Sequence, residues 1–344
     1  MSKTWGRVAK LREKPGTPEA LASRIQHMLK AGPRTLRQVS TKLDRGVEQI
    51  EQAIAVLEAR HVRVRLRDEE LTLERTLPVG GQFRIDIQKL RGKTLLFGVV
   101  SDTHLGSQYA RLDVLNAVYD RFREEGVRDV LHSGNIIEGF KKGINDHEVL
   151  PGCGSVEGQI AYLLKNYPQR KGIRTRFIST KCHEGWWTSS IGINIGALIQ
   201  QRAEEAGRRD LEYLSFIEAD ITVPAPRGKT VIRLVHPGGG SPYAISYTPQ
   251  KIVESYSGGT KPAILIVGHH HKKNFGLFRE IYTVMAGCTQ DQTSFMRIKR
   301  IEAHLGGWIC RAQQAPDGHI SEMSVTDLRY YDRKFYVREK YANW

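Results

Sequence analysis

The chain has 344 residues, 40% of them hydrophobic and 8% aromatic, which is room for one large core and a small accessory domain of ordinary globular composition. No apolar run approaches the length of a bilayer span, and the opening stretch MSKTWGRVAKLREKPGTPE carries no apolar signal segment, so membrane-spanning and secreted classes are excluded and a soluble cytoplasmic protein is expected. A formal charge of +15 favours polyanionic partners, DNA first among them, because Lys and Arg gain affinity by releasing the counterions of phosphates.

In chain order, residues 1–16 are basic and rich in helix breakers and read as a flexible tail. Thr17 then caps, and Pro18 opens, a helix with apolar positions Leu21, Ile25 and Leu29 at helical spacing and a closing Gly32. Thr35 with Gln38 three residues later makes a capping-box pattern for a second helix. After Asp44-Arg45-Gly46 a third helix runs through VEQIEQAIAVLEARH, and VRVRLRDEELTLERT alternates about a charged turn as a hairpin does. Three helices and a hairpin over residues 17–76 resemble a winged helix-turn-helix domain, in architecture alone, since no short motif defines that fold. The third helix exposes Glu48, Gln49, Glu51 and Gln52, a poor match for phosphates, whereas Arg63, Arg65 and Arg67 on the first hairpin strand are candidates for the DNA backbone. Docking of a protein partner is the other role open to this domain.

Residues 77–93 read as a linker or edge region. From 94 to 331 short apolar strands alternate with helices, each strand ending in polar residues, the pattern of a buried sheet with its functional edge at the strand ends. Five of those ends carry groups that bind metal or move protons: Asp102 with His104, Asn135, Cys182 with His183 and Glu184, His236, and His269 with His271. In ILIVGHHHKKN the strand ends at Gly268, and alternate residues of extended chain share a side, so His269 and His271 converge while His270 points elsewhere. The other cysteines, Cys153, Cys288 and Cys310, form no CxxC pair with Cys182 or each other, which argues against a disulfide framework. Lys141, Lys142, Lys272 and Lys273 are candidates for a phosphate track. Residues 332–344 read as a basic, aromatic extension of the kind on which single-stranded bases stack.

SDTHLG, HSGNIIEG, KCHE, HPGGG and GHHHK, in this order, resemble the signature of calcineurin-like metallophosphoesterases: Asp-x-His, Gly-Asp, Gly-Asn-His-Asp/Glu, a lone His, and Gly-His-x-His. The match spans roughly residues 94 to 310. It implies an α/β fold, a metallophosphoesterase-type β-sandwich flanked by helices, with two divalent metal ions at its edge. Carried over by position, Asp102, His104 and His271 hold the first metal and His236 and His269 the second, with Asn135 at the bridge and Cys182 at a further ligand position. Oxygen and imidazole ligands suit Mn, Fe, Zn or Ni. Two such ions clamp a phosphate ester and acidify a bound water that attacks phosphorus. His183 is placed to protonate the leaving alkoxide, and Glu184 to orient it.

Two positions depart from the signature. Asn135 stands where the family has its bridging aspartate, although two divalent cations at about 4 Å repel by about 16 kcal/mol at an effective dielectric near 20. Cys182 stands where the family has asparagine, and a thiolate there restores the lost negative charge and favours zinc or ferrous iron; a small buried strand residue is the other reading of it. The chain therefore reads as a metal-dependent phosphoesterase, a DNA-directed nuclease or phosphodiesterase. A phosphomonoesterase on small nucleotides and a non-catalytic nucleic-acid or protein-binding subunit are the alternatives.

Overall fold

The structure, a computed structural model, describes residues 17–240 and 242–338; the expected basic tail and the last six residues of the expected aromatic extension, 339–344, lie outside them. The chain divides into two compact units. One is the chain up to Thr76 together with Ser189–Asn194, and the other is Leu77–Thr188 with the chain from Ile195 onward. No helix among the described residues is long and apolar enough to cross a membrane.

The first unit contains α1 (Pro18–Lys30), β1 (Arg34–Thr35), α2 (Leu36–Leu43), α3 (Val47–Ala59), β2 (Val64–Arg67) and β3 (Glu70–Leu73). Each start has a local cause. The Thr17 hydroxyl accepts from Ala20 N–H at 3.3 Å, and at α2 the Thr35 hydroxyl and the Gln38 amide exchange bonds of 3.1 and 3.0 Å with each other's backbone N–H, a closed capping box. Leu21, Ile25 and Leu29 of α1 are buried against α3, whose inner face is Ile50, Ala53 and Leu57. The strands pair antiparallel in the order β1-β3-β2. On the hairpin, Arg63 and Arg65 both bond Glu74, the first at 2.7 Å, while Arg67 stands exposed beside Asp68 at 3.5 Å.

The second unit runs β4 (Gln82–Arg84), β5 (Lys89–Leu90), β6 (Thr94–Val100), α4 (Leu112–Glu124), β7 (Asp129–His132), α5 (Val156–Asn166), β8 (Arg174–Ser179), α6 (Gly185–Ile191), α7 (Ile195–Glu205), β9 (Leu211–Phe216), β10 (Glu218–Ala225), β11 (Gly228–Val235), α8 (Tyr247–Glu254), β12 (Ile264–Val267), β13 (Lys273–Phe278), β14 (Ile281–Ala286), α9 (Ser294–Ile298), β15 (Leu305–Gln314), β16 (Ile320–Tyr330) and α10 (Arg333–Arg338); α6 ends in the first unit. Two sheets result, a seven-stranded one in the order β16-β15-β6-β7-β8-β9 with β5 on β6, and a six-stranded one in the order β13-β14-β12-β11-β10-β4. Phe97, Leu131 and Ile178 from the first share a single core with Ile221, Ile232 and Ile266 from the second, the interior of a two-sheet sandwich. The central strands β6, β7 and β12 are buried almost end to end, as parallel strands covered on both faces must be.

Of the two readings of residues 77–93, the edge region holds and the free linker does not. β4 is an edge strand parallel to β10, and β5 pairs antiparallel with β6. The cause is the alternation Phe83, Ile85, Ile87, whose side chains pack into the sandwich core. At the other end, α10 begins where Arg333 donates to Ala110 O at 3.2 Å, and Tyr331 stacks on Phe335 at 4.5 Å between ring centroids.

Candidate metal centre

Strands β6, β7 and β8 are parallel neighbours in one sheet, and β11 and β12 in the other. Their carboxyl ends therefore emerge side by side, and the five polar ends expected from the sequence come from these five strands. Register alone does not aim the side chains. Asp102, His104, Asn135, His183, His269 and His271 all have left-handed backbone, with φ of 48°, 47°, 53°, 50°, 77° and 54°. For residues with a Cβ this conformation costs roughly 1–2 kcal/mol each, and such strain collects where surrounding structure enforces a functional geometry. Each of them lies two to four residues past the end of its strand, where left-handed backbone breaks the extended chain.

Three ligand groups result among the described residues, the third of them His104, Glu138 and His183. In the first, His271 Nε2 lies 3.2 Å from Asp102 Oδ2 and 3.2 Å from His104 Nε2. In the second, Cys182 Sγ lies 3.5 Å from His236 Nε2 and 4.0 Å from His269 Nδ1. Asp102 ties the two together by accepting His269 N–H at 3.0 and 3.2 Å on its two oxygens. Asn135 Oδ1 accepts from the Thr180 hydroxyl at 2.8 Å and from the Cys182 thiol at 3.4 Å. The backbone makes way at Gly268, where a Cβ would stand 2.6 Å from Ser133 O and 2.9 Å from both Asp102 Oδ1 and His236 Nδ1.

Three of the four ligand rings are oriented as metal ligands require, with one nitrogen fixed by an acceptor and the other left with its lone pair, whereas His271 Nε2 carries the proton it shares with Asp102, which a cation would have to displace. His236 Nδ1 donates to Ser133 O at 2.7 Å, His269 Nε2 donates to Gly239 O at 2.9 Å, and His104 Nδ1 is held by Glu138 Oε2 at 2.9 Å. Each free nitrogen faces its group. Burial pushes His104 down to about 4 and His236 to about 3, so both are neutral. Burial alone would raise Asp102, but the hydrogen bond from His271, and with it the charge of that imidazole, holds it well below the usual carboxylate range. Burial, and next the charge of Glu184, push the Cys182 thiol up to about 12; it stays protonated unless a cation takes the proton's place. Donor set, tautomers and the glycine cradle together fit two divalent cations.

Glu138 belongs to this centre and was not singled out from the sequence. It is fully buried, its Oε2 on His104 and its Oε1 accepting from Asn145 Nδ2 at 3.0 Å. Its carbonyl accepts from His183 Nδ1 at 3.0 Å, and its Oε1 is 3.6 Å from that nitrogen. Burial opposes the charge on His183, but Glu138 outweighs it and raises the imidazole's pKa. Trp186 stacks on the same ring at 4.9 Å. The only signal in HSGNIIEG was an acid next to a glycine in a strand-end loop.

Glu184 does not orient His183. Its Oε1 accepts from Asn135 N–H at 3.1 Å, so it braces the loop that carries Asn135, and burial pushes its carboxyl up to about 8. His270 joins none of the ligand groups and meets His269 edge-on at 4.9 Å. Lys273 is not on a phosphate track: it is buried, paired with Asp327, donates to Gly307 O at 2.9 Å and lies over the Trp308 ring. Lys272 pairs with Glu302 at 3.7 Å, and Lys141 and Lys142 are exposed.

Neither a protein-family model nor a curated protein matches the chain. Among solved structures, a novel archaeal phosphodiesterase is similar over 67% of this chain and 99% of its own, at 14% identity and a TM-score of 0.34. Vps29 from Entamoeba histolytica, in complex with zinc, is similar over 68% and 99%, at 15% identity and 0.30. GAP50, the anchor in the inner membrane complex of Plasmodium, is similar over 73% and 94%, at 10% identity and 0.38.

Proposed function

We propose that the chain is a metal-dependent phosphoesterase that hydrolyses phosphodiesters, with DNA as the polymer its charge favours. The observation that carries this is the pairing of two three-residue ligand groups joined through Asp102 and flanked by a histidine whose pKa is raised. Asp102, His104 and His271 would hold one cation, and Cys182, His236 and His269 the other, with Asn135 Oδ1 facing the second group. Bound there, two cations supply charge to the ester's oxygens and acidity to an attacking water.

The chain's own residues do the rest. His183, protonated through Glu138, donates its proton to the departing alkoxide. Glu138 fixes the direction of that donation by holding Nδ1, which leaves Nε2–H to face the leaving group. Asn135 supplies a neutral oxygen where an aspartate would supply an anion, so the attacking water is less activated than two cations allow. Cys182 restores one negative charge on giving up its proton. The first unit, with its order helix, strand, two helices and a hairpin, supports a winged-helix reading and contact with DNA through Arg67; the acidic outer face of α3 favours a protein partner instead.

Asn135 also favours a second reading, a subunit that keeps the fold and has lost turnover. Asn135→Asp decides between them. It is expected to raise both the bound metal, measured by elemental analysis, and the rate on bis(4-nitrophenyl) phosphate, the latter by ~100-fold or more. Full turnover by the unaltered chain, lost together with one metal in Cys182→Ala, would instead assign the compensating charge to the thiolate. If Asn135→Asp changes neither metal content nor rate, Asn135 is not between the cations.

A further inference from the structure

A cavity of about 530 Å³ joins His183, His269 and His271 of the metal centre to an apolar wall of Ile144, Phe295 and Met296. That volume suits one small ligand and not a folded polymer. Ile144 and Phe295 are exposed, 53% and 59%, although both are large and apolar, and nothing in the hydrolytic chemistry described above uses them. Glu148 lines the same cavity and is 7% exposed. Its carboxylate takes one hydrogen bond from Phe295 N–H, but its Oε1 is buried without a hydrogen-bond partner, the neighbouring His147 Nε2 being 3.8 Å away. A buried acceptor left empty beside an open apolar surface marks the place of a donor that arrives with a ligand. An aliphatic ester group brings no donor. A flat apolar ring edged with an amino group supplies both contacts at once, and the phosphate it hangs from has its place at the metal centre.

We infer that this cavity is a base site: it takes the nucleobase of the nucleotide whose phosphate lies at the metal centre, with the ring against Phe295 and Met296 and an exocyclic amine on Glu148 Oε1. This rests on the phosphoesterase reading and sharpens it to amino-bearing bases, adenine, cytosine and guanine, over uracil and thymine, whose ring N–H lies between two carbonyl oxygens that repel the Glu148 carboxylate. Carboxylates accept from such amines at nucleic-acid interfaces, as Glu and Asp do from the cytosine amino group, and a hydrogen bond to a charged group is worth about 10-fold or more.

Binding of cytidine, adenosine and uridine monophosphates and of inorganic phosphate to the full-length, zinc-supplied protein, by calorimetry, tests this. Cytidine and adenosine monophosphates are expected to bind ~10-fold tighter than uridine monophosphate. Glu148→Leu should bring them down to the uridine level, while Glu148→Gln, which keeps an acceptor, retains the preference. Phe295→Ala should weaken all three nucleotides and leave inorganic phosphate unchanged. Equal affinity for the three nucleotides, or a preference that survives Glu148→Leu, overturns the base site even where zinc-dependent phosphate binding upholds the metal centre. Failure of the metal centre shows differently: phosphate does not bind, and cytidine still binds better than uridine in metal-free protein if the base site is real. Loss of both rejects the two together.

Discussion

At the residue scale, Glu138 joins the first ligand group to His183. One oxygen holds His104, whose free nitrogen faces the first ligand group, and the other lies beside His183. The carboxylate raises the pKa of His183, so the acid form persists to higher pH than an isolated imidazole allows. Glu138→Gln keeps shape and an acceptor but removes the charge. The His183 proton is then lost at lower pH, and the alkaline limb of the pH-rate profile moves down while the acid limb stays. The rate above that limb falls by up to the ~100-fold or more that a positioned general acid contributes. Metal content, measured on the same sample, separates this from damage through His104. An unmoved alkaline limb with normal metal content would remove Glu138 from proton donation.

At the element scale, what was legible in the sequence follows from what each signal measures. The capping box of Thr35 and Gln38 and the Leu21, Ile25, Leu29 stripe are local, and the helices start and bury as those residues dictate. The strand-end residues were legible because buried strands announce themselves by composition and their polar ends follow at once. Left-handed backbone at Asp102, His104 and Asn135 was not legible, because Asp, His and Asn only tolerate it more readily than other residues, and tertiary contacts decide where they adopt it. Glu138 was missed for the same reason: its direction depends on the left-handed backbone at Asn135, three residues earlier. Phe83, Ile85 and Ile87 alternate plainly, yet the glycines and charges around them left the stretch open between a linker and an edge region, which the structure resolves into β4 on β10 and β5 on β6. Gly268 tests whether the strand-end geometry shapes the centre. Gly268→Ala places a methyl against Ser133 O and Asp102 Oδ1, which should cost about 1–3 kcal/mol in urea unfolding and abolish binding at one or both ligand groups. An alanine variant with normal stability and two bound metals would show that the loops adapt and that no cradle is needed.

At the scale of the whole molecule, the charge of +15 survives pairing unevenly. In the first unit Arg63 and Arg65 are spent on Glu74, and Arg67 is the hairpin arginine left most open, its side chain 81% exposed next to Asp68. In the second unit Lys141 and Lys142 are exposed, whereas Lys273 is consumed inside the sandwich. Affinity for DNA should therefore come from a modest number of phosphate contacts and be lost steeply with salt, since each contact adds about 0.9 to the slope of log affinity against log salt on duplex DNA. Fluorescence anisotropy with a labelled duplex, from 25 to 200 mM salt, measures that slope on the full chain. Arg67→Ala should lower the slope by about one and weaken different duplex sequences alike, and Lys141→Ala with Lys142→Ala should do so independently. Arg63→Ala should change it least, because Arg63 is already held by Glu74 and makes no phosphate contact for the variant to lose, while Arg65 still pairs with the freed carboxylate. A slope near zero at low ionic strength, with nucleotides still bound at the metal centre, would leave the enzyme reading intact and make its substrate a small phosphodiester and not a polymer.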